Sequence, residues 1–375
     1  MIRFLPSTAH SRPTYTVAIS TEGPQHNDFA TSGPVPSEWH IPNRERLHRR
    51  WRCRVIHPID AAAGRMLAMS PPRARFFSRG WGNPSRLEAS RMQDLVRHLI
   101  KVRWLTSTEH TNGATLDHGA FLNTTSGLPP RSEMGSLISV TPAEPTQRVV
   151  VLMAAWNEHN PKARLGMADL LAQKGIRSIV LEHPYYGTRR PSPNRSQPIR
   201  TVADFMTMGQ AAVSEACGIL LSLHADGWSI GVAGYSMGGN TAALVSALLT
   251  VPVATAPLCA SHSPGPVFLD GVLHEGIAWE ALGGRSQEER LRSTFDAISV
   301  LAIDPAPHSK HAVIVRASHD GYIPSEAVAA LADHWPGSVL REVNAGHATA
   351  MWYHKDELTN AIVESFDRLD AVVPD

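Results

Sequence analysis

Residues Ile230 to Asn240 read Ile-Gly-Val-Ala-Gly-Tyr-Ser-Met-Gly-Gly-Asn. A β-branched apolar run ends at Gly234, Ser236 follows two residues later, Gly238 and Gly239 come next, and an Ala/Leu/Val helical pattern begins. Strand, sharp turn and helix in that order form the setting in which a serine hydroxyl becomes a nucleophile. The chemistry requires this spacing. The serine must hold a strained φ/ψ so that its Oγ stands above the sheet, and the flanking glycines lack the Cβ atoms that would keep strand and helix apart. The helix N-terminus behind the serine presents backbone N–H groups and a positive dipole end to a developing oxyanion. The five-residue pattern alone is common, and its bland alternative is an ordinary tight turn; its place between a strand and a helix favours the nucleophile.

A serine needs a base, and the base needs an acid to hold it. Where this elbow is used, the chain order is serine, then Asp or Glu, then histidine. Downstream, His311 to Ala317 (HAVIVRA) reads as a buried strand, followed by Ser318-His319-Asp320-Gly321-Tyr322-Ile323-Pro324. A helical segment then spans Ser325 to His334, and a short strand from Val339 to Val343 runs into Asn344-Ala345-Gly346-His347. Asp320 and His347 therefore stand at the C-terminal ends of strands, where ligands gather in open α/β sheets. With nineteen histidines in the chain, one near a turn is weak by itself. His319, His334 and His354 compete, but none directly follows a strand and a glycine turn. The alternative for Asp320 is a cap on the next helix. Asp270, Glu275, Glu280, Asp296 and Asp304 sit in poorer contexts.

The elements that must position these residues are legible as patterns. Arg86 to Trp104 has helical spacing, and Ala114 to Leu122 and Leu137 to Thr141 read as early antiparallel strands. Arg148 to Ala154 is a continuous apolar run, as expected of a strand buried on both faces. A helix over Arg164 to Lys174, a strand over Ser178 to Leu181, a long helix over Thr201 to His224, the elbow and a strand near Val253 to Ala256 follow. Strands alternating with helices predict an α/β fold with a mostly parallel, doubly wound sheet and helices on both faces. Between about residues 258 and 304 the alternation lapses: Ser261 to Trp279 is loop-like with apolar teeth, and a helix is predicted over Gln287 to Leu301. This stretch is either a cap over the site or an ordinary packing excursion; its position between catalytic elements favours the cap.

The loop Glu182-His-Pro-Tyr185-Tyr186-Gly-Thr-Arg189-Arg190-Pro, with Arg195 and Arg200 beyond it, also follows a strand. Tyr185, Tyr186, Arg189 and Arg190, with Tyr235 in the elbow, are candidates for substrate contact, the arginines through bidentate hydrogen bonds to an anionic group. The bland alternative is a solvated loop whose arginines pair with surface acids.

A net charge of +1 implies no strong attraction to nucleic acid or to a membrane. No run of eighteen apolar residues exists, so no spanning helix is predicted. Cys53, Cys217 and Cys259 are scattered and odd in number, which argues against a disulfide framework or a zinc site and fits a reducing, cytoplasmic setting. Residues 1–75 are rich in Pro, Ser, Arg and His and show little periodicity. They read as a disordered tail, as an Arg-rich targeting peptide weakened by Glu22, Asp28, Glu38 and Asp60, or as an over-extended start with the natural one at Met66 or Met69. Residues 76–375 form the folded domain in this reading.

The elbow, EHPYYGTRRP, VADFMTMGQAAVSEA, VFLDGVLHEGIAW, DGYIP, HWPGS and NAGHATA, with FFSRGWGNP near residue 76, together resemble the abhydrolase-domain-containing family numbered eighteen, over roughly residue 75 to the end. The resemblance implies an α/β-hydrolase fold, a serine-hydrolase activity on lipid acyl esters, and Ser236, Asp320 and His347 as the triad. It also places the loop of the second oxyanion N–H on Met153 to His159, where Ala155 and Trp156 stand in place of glycines and crowd the site; the other donor is the Met237 N–H. His183 stands where an Asn is usual. The expected function is cleavage of an acyl ester, of a small molecule or a lipid, through an acyl-enzyme, with no metal or organic cofactor and no nucleic-acid partner; transient contact of the cap with a membrane surface is left open. An acyltransferase on the same scaffold and a non-catalytic binding protein are the alternatives.

Overall fold

The computed structural model describes residues 55–87, 92–96, 98–123, 125–191 and 199–371. Residues 1–54, Arg195 and the tail reading given to Glu22, Asp28 and Glu38 lie outside the described residues. Nine strands form one mixed sheet: β1 Arg103–Glu109, β2 Thr115–Leu122, β3 Met134–Thr141, β4 Arg148–Met153, β5 Ile176–Leu181, β6 Ser229–Tyr235, β7 Ala254–Leu258, β8 Val313–Ala317 and β9 Val339–Val343, in the order β1-β2-β3-β5-β4-β6-β7-β8-β9. The pairings β1–β2, β2–β3 and β3–β5 are antiparallel. From β5 across to β9 every pairing is parallel.

The central strands show why a continuous apolar run is a strand here. In β4, Val149, Val151 and Met153 enter one core layer while Val150 and Leu152 enter the other, the alternation that a pleated strand imposes. Each such fully buried side chain contributes about 1.5–3 kcal/mol of hydrophobic stabilisation. The helices are α1 Pro58–Ala68, α2 Lys162–Ala172, α3 Val202–Ala225, α4 Met237–Leu248, α5 Pro264–Leu269, α6 Glu288–Asp296, α7 Ser325–His334, α8 His347–Tyr353 and α9 Lys355–Asp370, with shorter turns between them. Helices α3 and α4 pack on one face, through residues such as Val213, Leu220 and Leu244. Helices α2 and α9 pack on the other, through Leu171, Ile362 and Phe366. Among the described residues α3 alone is long and apolar enough to cross a membrane, and 67% of its most apolar window is buried in the fold.

Three expectations change. The helix over 86–104 is replaced by single turns at Pro84–Arg86 and Met92–Val96 and by edge strand β1. Leu95 reaches the core but Leu99 is exposed, so the helical stripe has no second surface to bury, and pairing with β2 wins. The helix over 287–301 stops at Asp296, and a separate turn forms at Val300–Ala302. Third, the folded unit begins before residue 76. Helix α1, with Pro58 at its first turn and the His57 ring accepting the Ile59 N–H, packs into the fold and buries Asp60 and Gly64. Phe76 then bridges to Ile277.

Candidate active site

The elbow geometry follows from sterics. Ser236 holds φ 57°, ψ −120° at the end of β6, and its N–H donates to the Leu258 carbonyl at 2.9 Å. A Cβ on Gly234 would lie 2.4 Å from the Gly238 carbonyl carbon, and one on Gly238 would lie 2.4 Å from the Met153 oxygen. Side chains at either place would drive α4 away from β4 and β6.

The structure brings Ser236, His347 and Asp320 together. Ser236 Oγ is 2.9 Å from His347 Nε2, and His347 Nδ1–H donates to Asp320 Oδ2 at 2.7 Å. The other Asp320 oxygen accepts the Tyr322 and Ile323 N–H groups, each at 2.8 Å. Helix α8 begins at His347, so this imidazole stands at a helix start directly after Gly346. The imidazole lies between the ring of Tyr322, centroids 4.8 Å apart, and that of Tyr235, 5.1 Å away. Burial pushes the His347 pKa down, but the charge and hydrogen bond of Asp320 and the charge of Asp60 outweigh it, and the net shift is upward.

In the loop after β4 the Ala155 and Trp156 N–H groups differ in their partners. The Ala155 N–H is committed to Glu158 Oε2 at 3.1 Å. Glu158 is in turn held by Arg164 at 2.6 Å, and Arg164 also donates to the Leu152 and Leu181 carbonyls at the ends of β4 and β5. Trp156 N–H and Met237 N–H have no hydrogen-bond acceptor among the described residues, and both residues line the cavity that contains Ser236. The crowding expected from the lost glycines does not occur. The left-handed backbone falls on Asn157, φ 61°, a residue type that tolerates it, and the Trp156 indole packs against Phe76, Phe205 and Phe268 with centroids 5.6–5.7 Å apart. His183 accepts the Ala154 N–H at Nε2, 3.3 Å, and burial keeps its imidazole neutral.

Above Ser236 lies a cavity of about 730 Å³, within the range of small-molecule sites. Its walls are largely apolar: Leu67 of α1, Trp156, Phe205, Phe268 and Leu273. The stretch between β7 and β8 supplies Ser261, Pro264, Val267, Phe268 and Leu273 to this wall.

Of the residues considered for substrate contact, only Tyr235 lines the cavity, and its hydroxyl is spent on the His347 carbonyl. Tyr185, Tyr186 and Arg189 do not contact that space, contrary to what their position after a strand predicts: each is at most 2% exposed and none reaches the cavity. Tyr185, at φ 69°, turns its hydroxyl to Asp204, and Arg189 turns inward to Glu215. Arg190 is half-buried and also outside the cavity. Two participants escaped sequence reasoning. Asp60 accepts backbone N–H groups of the His347 and Gly321 turns, and Glu158 fixes the loop after β4; the sequence signal for the latter is an acid three residues beyond Ala155 and six before Arg164.

In solved structures the chain is similar to acetyl xylan esterase 1 from Thermoanaerobacterium sp., at 13% identity and a TM-score of 0.52, with 78% of this chain and 97% of that chain covered. It is likewise similar to an acetyl xylan esterase from Paenibacillus sp., at 15% identity and a TM-score of 0.52, covering 76% of this chain and 95% of that one. At such identities the likeness concerns the fold. The family model described as "Alpha/beta hydrolase domain containing 18" matches residues 74–311 and 286–368. The chain therefore has the α/β-hydrolase fold and belongs to the family described as alpha/beta hydrolase domain containing 18.

Proposed function

We propose that this protein is a serine hydrolase that cleaves an acyl ester with an apolar acyl chain. The observation that carries the reading is the Ser236–His347–Asp320 hydrogen-bonded chain, set on a strained elbow beneath an apolar cavity. Ser236 Oγ attacks the ester carbonyl carbon as His347 Nε2 takes its proton. The tetrahedral oxyanion is held by the Met237 and Trp156 N–H groups, worth about 2.7–4 kcal/mol per donor in such sites. His347 then protonates the leaving alcohol, and the acyl group stays on Ser236. Water, deprotonated by His347, attacks the acyl-enzyme and frees the carboxylic acid. Asp320 holds the imidazole in the tautomer this requires and stabilises the imidazolium.

The acyl chain lies along Trp156, Phe205 and Phe268. Met66 and Trp352 line the same cavity yet are 67% and 60% exposed, which puts them at its mouth. An apolar rim of this kind supports transient contact with a lipid surface that presents the substrate.

The test is a p-nitrophenyl ester series of rising chain length. Each methylene that enters the cavity contributes about 0.8 kcal/mol, so kcat/KM is expected to rise roughly fourfold per carbon until the cavity fills. Leu273→Trp shortens the wall by about three methylenes. It should cost roughly 50-fold on the longest good substrate and little on the acetate ester. Absence of turnover across the whole series would defeat the reading.

The pH profile follows from the His347 shift. His347 acts as a base only when neutral, and its pKa lies above the ordinary histidine value of 6.5. The acid limb of log(kcat/KM) is therefore expected above pH 6.5, with activity lost as pH falls through it and retained above it. A limb below pH 6.5 in the wild type would contradict the coupling to Asp320.

A further inference from the structure

We propose that Asp60 is a positioning residue of this site, a second carboxylate that ties the Asp320 turn to the His347 turn through their backbones. The proposal rests on the hydrolase reading above. It lies outside the stretch that the family match covers, which begins at residue 74.

Asp60 is fully buried at the first turn of α1. Its Oδ2 accepts the His347 N–H at 2.6 Å and the Gly321 N–H at 3.0 Å, and its Oδ1 accepts the Ala348 N–H at 3.3 Å. No ion pair to Asp60 occurs among the described residues. A buried carboxylate costs several kcal/mol unless it is hydrogen-bonded. Among the described residues the compensation comes from amides of the two turns that carry Asp320 and His347. The division of labour is clear in the atoms: Asp320 grips the His347 side chain, while Asp60 grips its backbone.

The approach is built into the sequence at two glycines. A Cβ on Gly321 would lie 2.8 Å from Asp60 Cβ; one on Gly346 would lie 2.9 Å from Asp60 Oδ2 and 2.3 Å from His57 Cβ. The glycines after Asp320 and before His347 thus admit the start of α1. A further backbone bond, His57 N–H to the His319 carbonyl at 3.0 Å, fixes the same junction. With His347 seated on this clamp, the Nε2–Oγ distance to Ser236 depends on a helix more than 280 residues away along the chain. The charged or titratable groups facing the imidazole are Asp320, Asp60 and the Tyr235 and Tyr322 phenols, with His57 across Gly346. Burial lowers the His347 pKa, Asp320 raises it through its charge and its hydrogen bond, and Asp60 adds a smaller upward effect; the net shift is upward.

The experiment compares wild type, Asp60→Asn and Asp60→Glu in the full chain. It measures kcat, KM, the acid limb, and the titration of the His347 imidazole by NMR, which needs no substrate. Asp60→Asn keeps the size, loses the charge and sets an amide N–H₂ against backbone N–H donors. It should lower kcat by on the order of 10-fold to 100-fold with KM within about twofold. It should also move both the acid limb and the NMR titration to lower pH. Asp60→Glu keeps the charge but displaces the clamp, so kcat falls while the titration stays near wild type. A folded Asp60→Asn with wild-type kcat and wild-type titration overturns the proposal, and so does failure of both variants to fold, which would make Asp60 a structural residue only. If wild type turns over no ester, the hydrolase reading fails; the NMR titrations still decide whether Asp60 acts on His347.

Discussion

Replacing Ser236 by Ala is expected to abolish covalent labelling by a fluorophosphonate and to lower ester turnover by on the order of 10⁶-fold, with the fold intact. In the proposed mechanism the hydroxyl oxygen is the atom that forms the bond, so the loss is large. The fold survives because that hydroxyl caps nothing: the helix start at Ser236 has no side-chain capping bond, and the elbow is held by backbone, through Ser236 N–H to Leu258 and the close approach of Gly238 to Met153. Thermal unfolding of Ser236→Ala should therefore match wild type closely. His347→Ala should cost nearly as much. The double variant should be hardly worse than either single one, since residues acting as a unit are not additive. Asp320→Asn should cost on the order of 10⁴-fold, because an amide there cannot hold the Nδ1–H tautomer. Labelling that persists in Ser236→Ala would place the reactive nucleophile elsewhere; a folded wild type that never labels would remove the activated serine altogether.

How far the sequence carries can be judged element by element. The parallel half of the sheet was legible because runs such as Val149 to Met153 are buried on both faces and leave an unbroken apolar signature. The family assignment agrees with the resemblance carried by the motifs from FFSRGWGNP to NAGHATA. What failed has a common cause. Arg189 follows a strand, as a substrate-binding residue would, but which way it turns is decided by Glu215 on α3, 26 residues on. A signal existed there: a lone acid among Val213, Ala216 and Cys217 on the buried face of a helix must find a cation. The choice between Ala155 and Trp156 likewise turned on Glu158. Asp60 was invisible because its partners are backbone amides, which no side-chain pattern records. The helix expected over 86–104 had good local spacing and no surface to bury it.

Arg189→Met is expected to destabilise the fold by about 3–5 kcal/mol, measured by urea unfolding. Arg189 and Glu215 are 1% and 0% exposed, so neither can turn to water when its partner is removed. The guanidinium donates to both Glu215 oxygens, to the Glu182 carbonyl at 2.7 Å and to the Ser132 carbonyl at 2.5 Å, and Asn123 donates to Glu215 from the other side. The pair therefore joins the end of β5, the turn before β3 and the middle of α3. Methionine fills the volume but leaves Glu215 a buried, unpaired carboxylate, and this uncompensated charge, rather than the lost attraction, sets the size of the effect. Removing both charges separates the two contributions: Arg189→Met with Glu215→Leu should regain most of the lost stability, since a buried ion pair is often close to neutral against apolar residues of similar volume. The folded single variant should keep wild-type KM and kcat, because neither residue lines the cavity above Ser236. A variant that stays stable but loses substrate affinity tenfold would reverse the assignment and return Arg189 to the substrate-binding role that its position after a strand suggested.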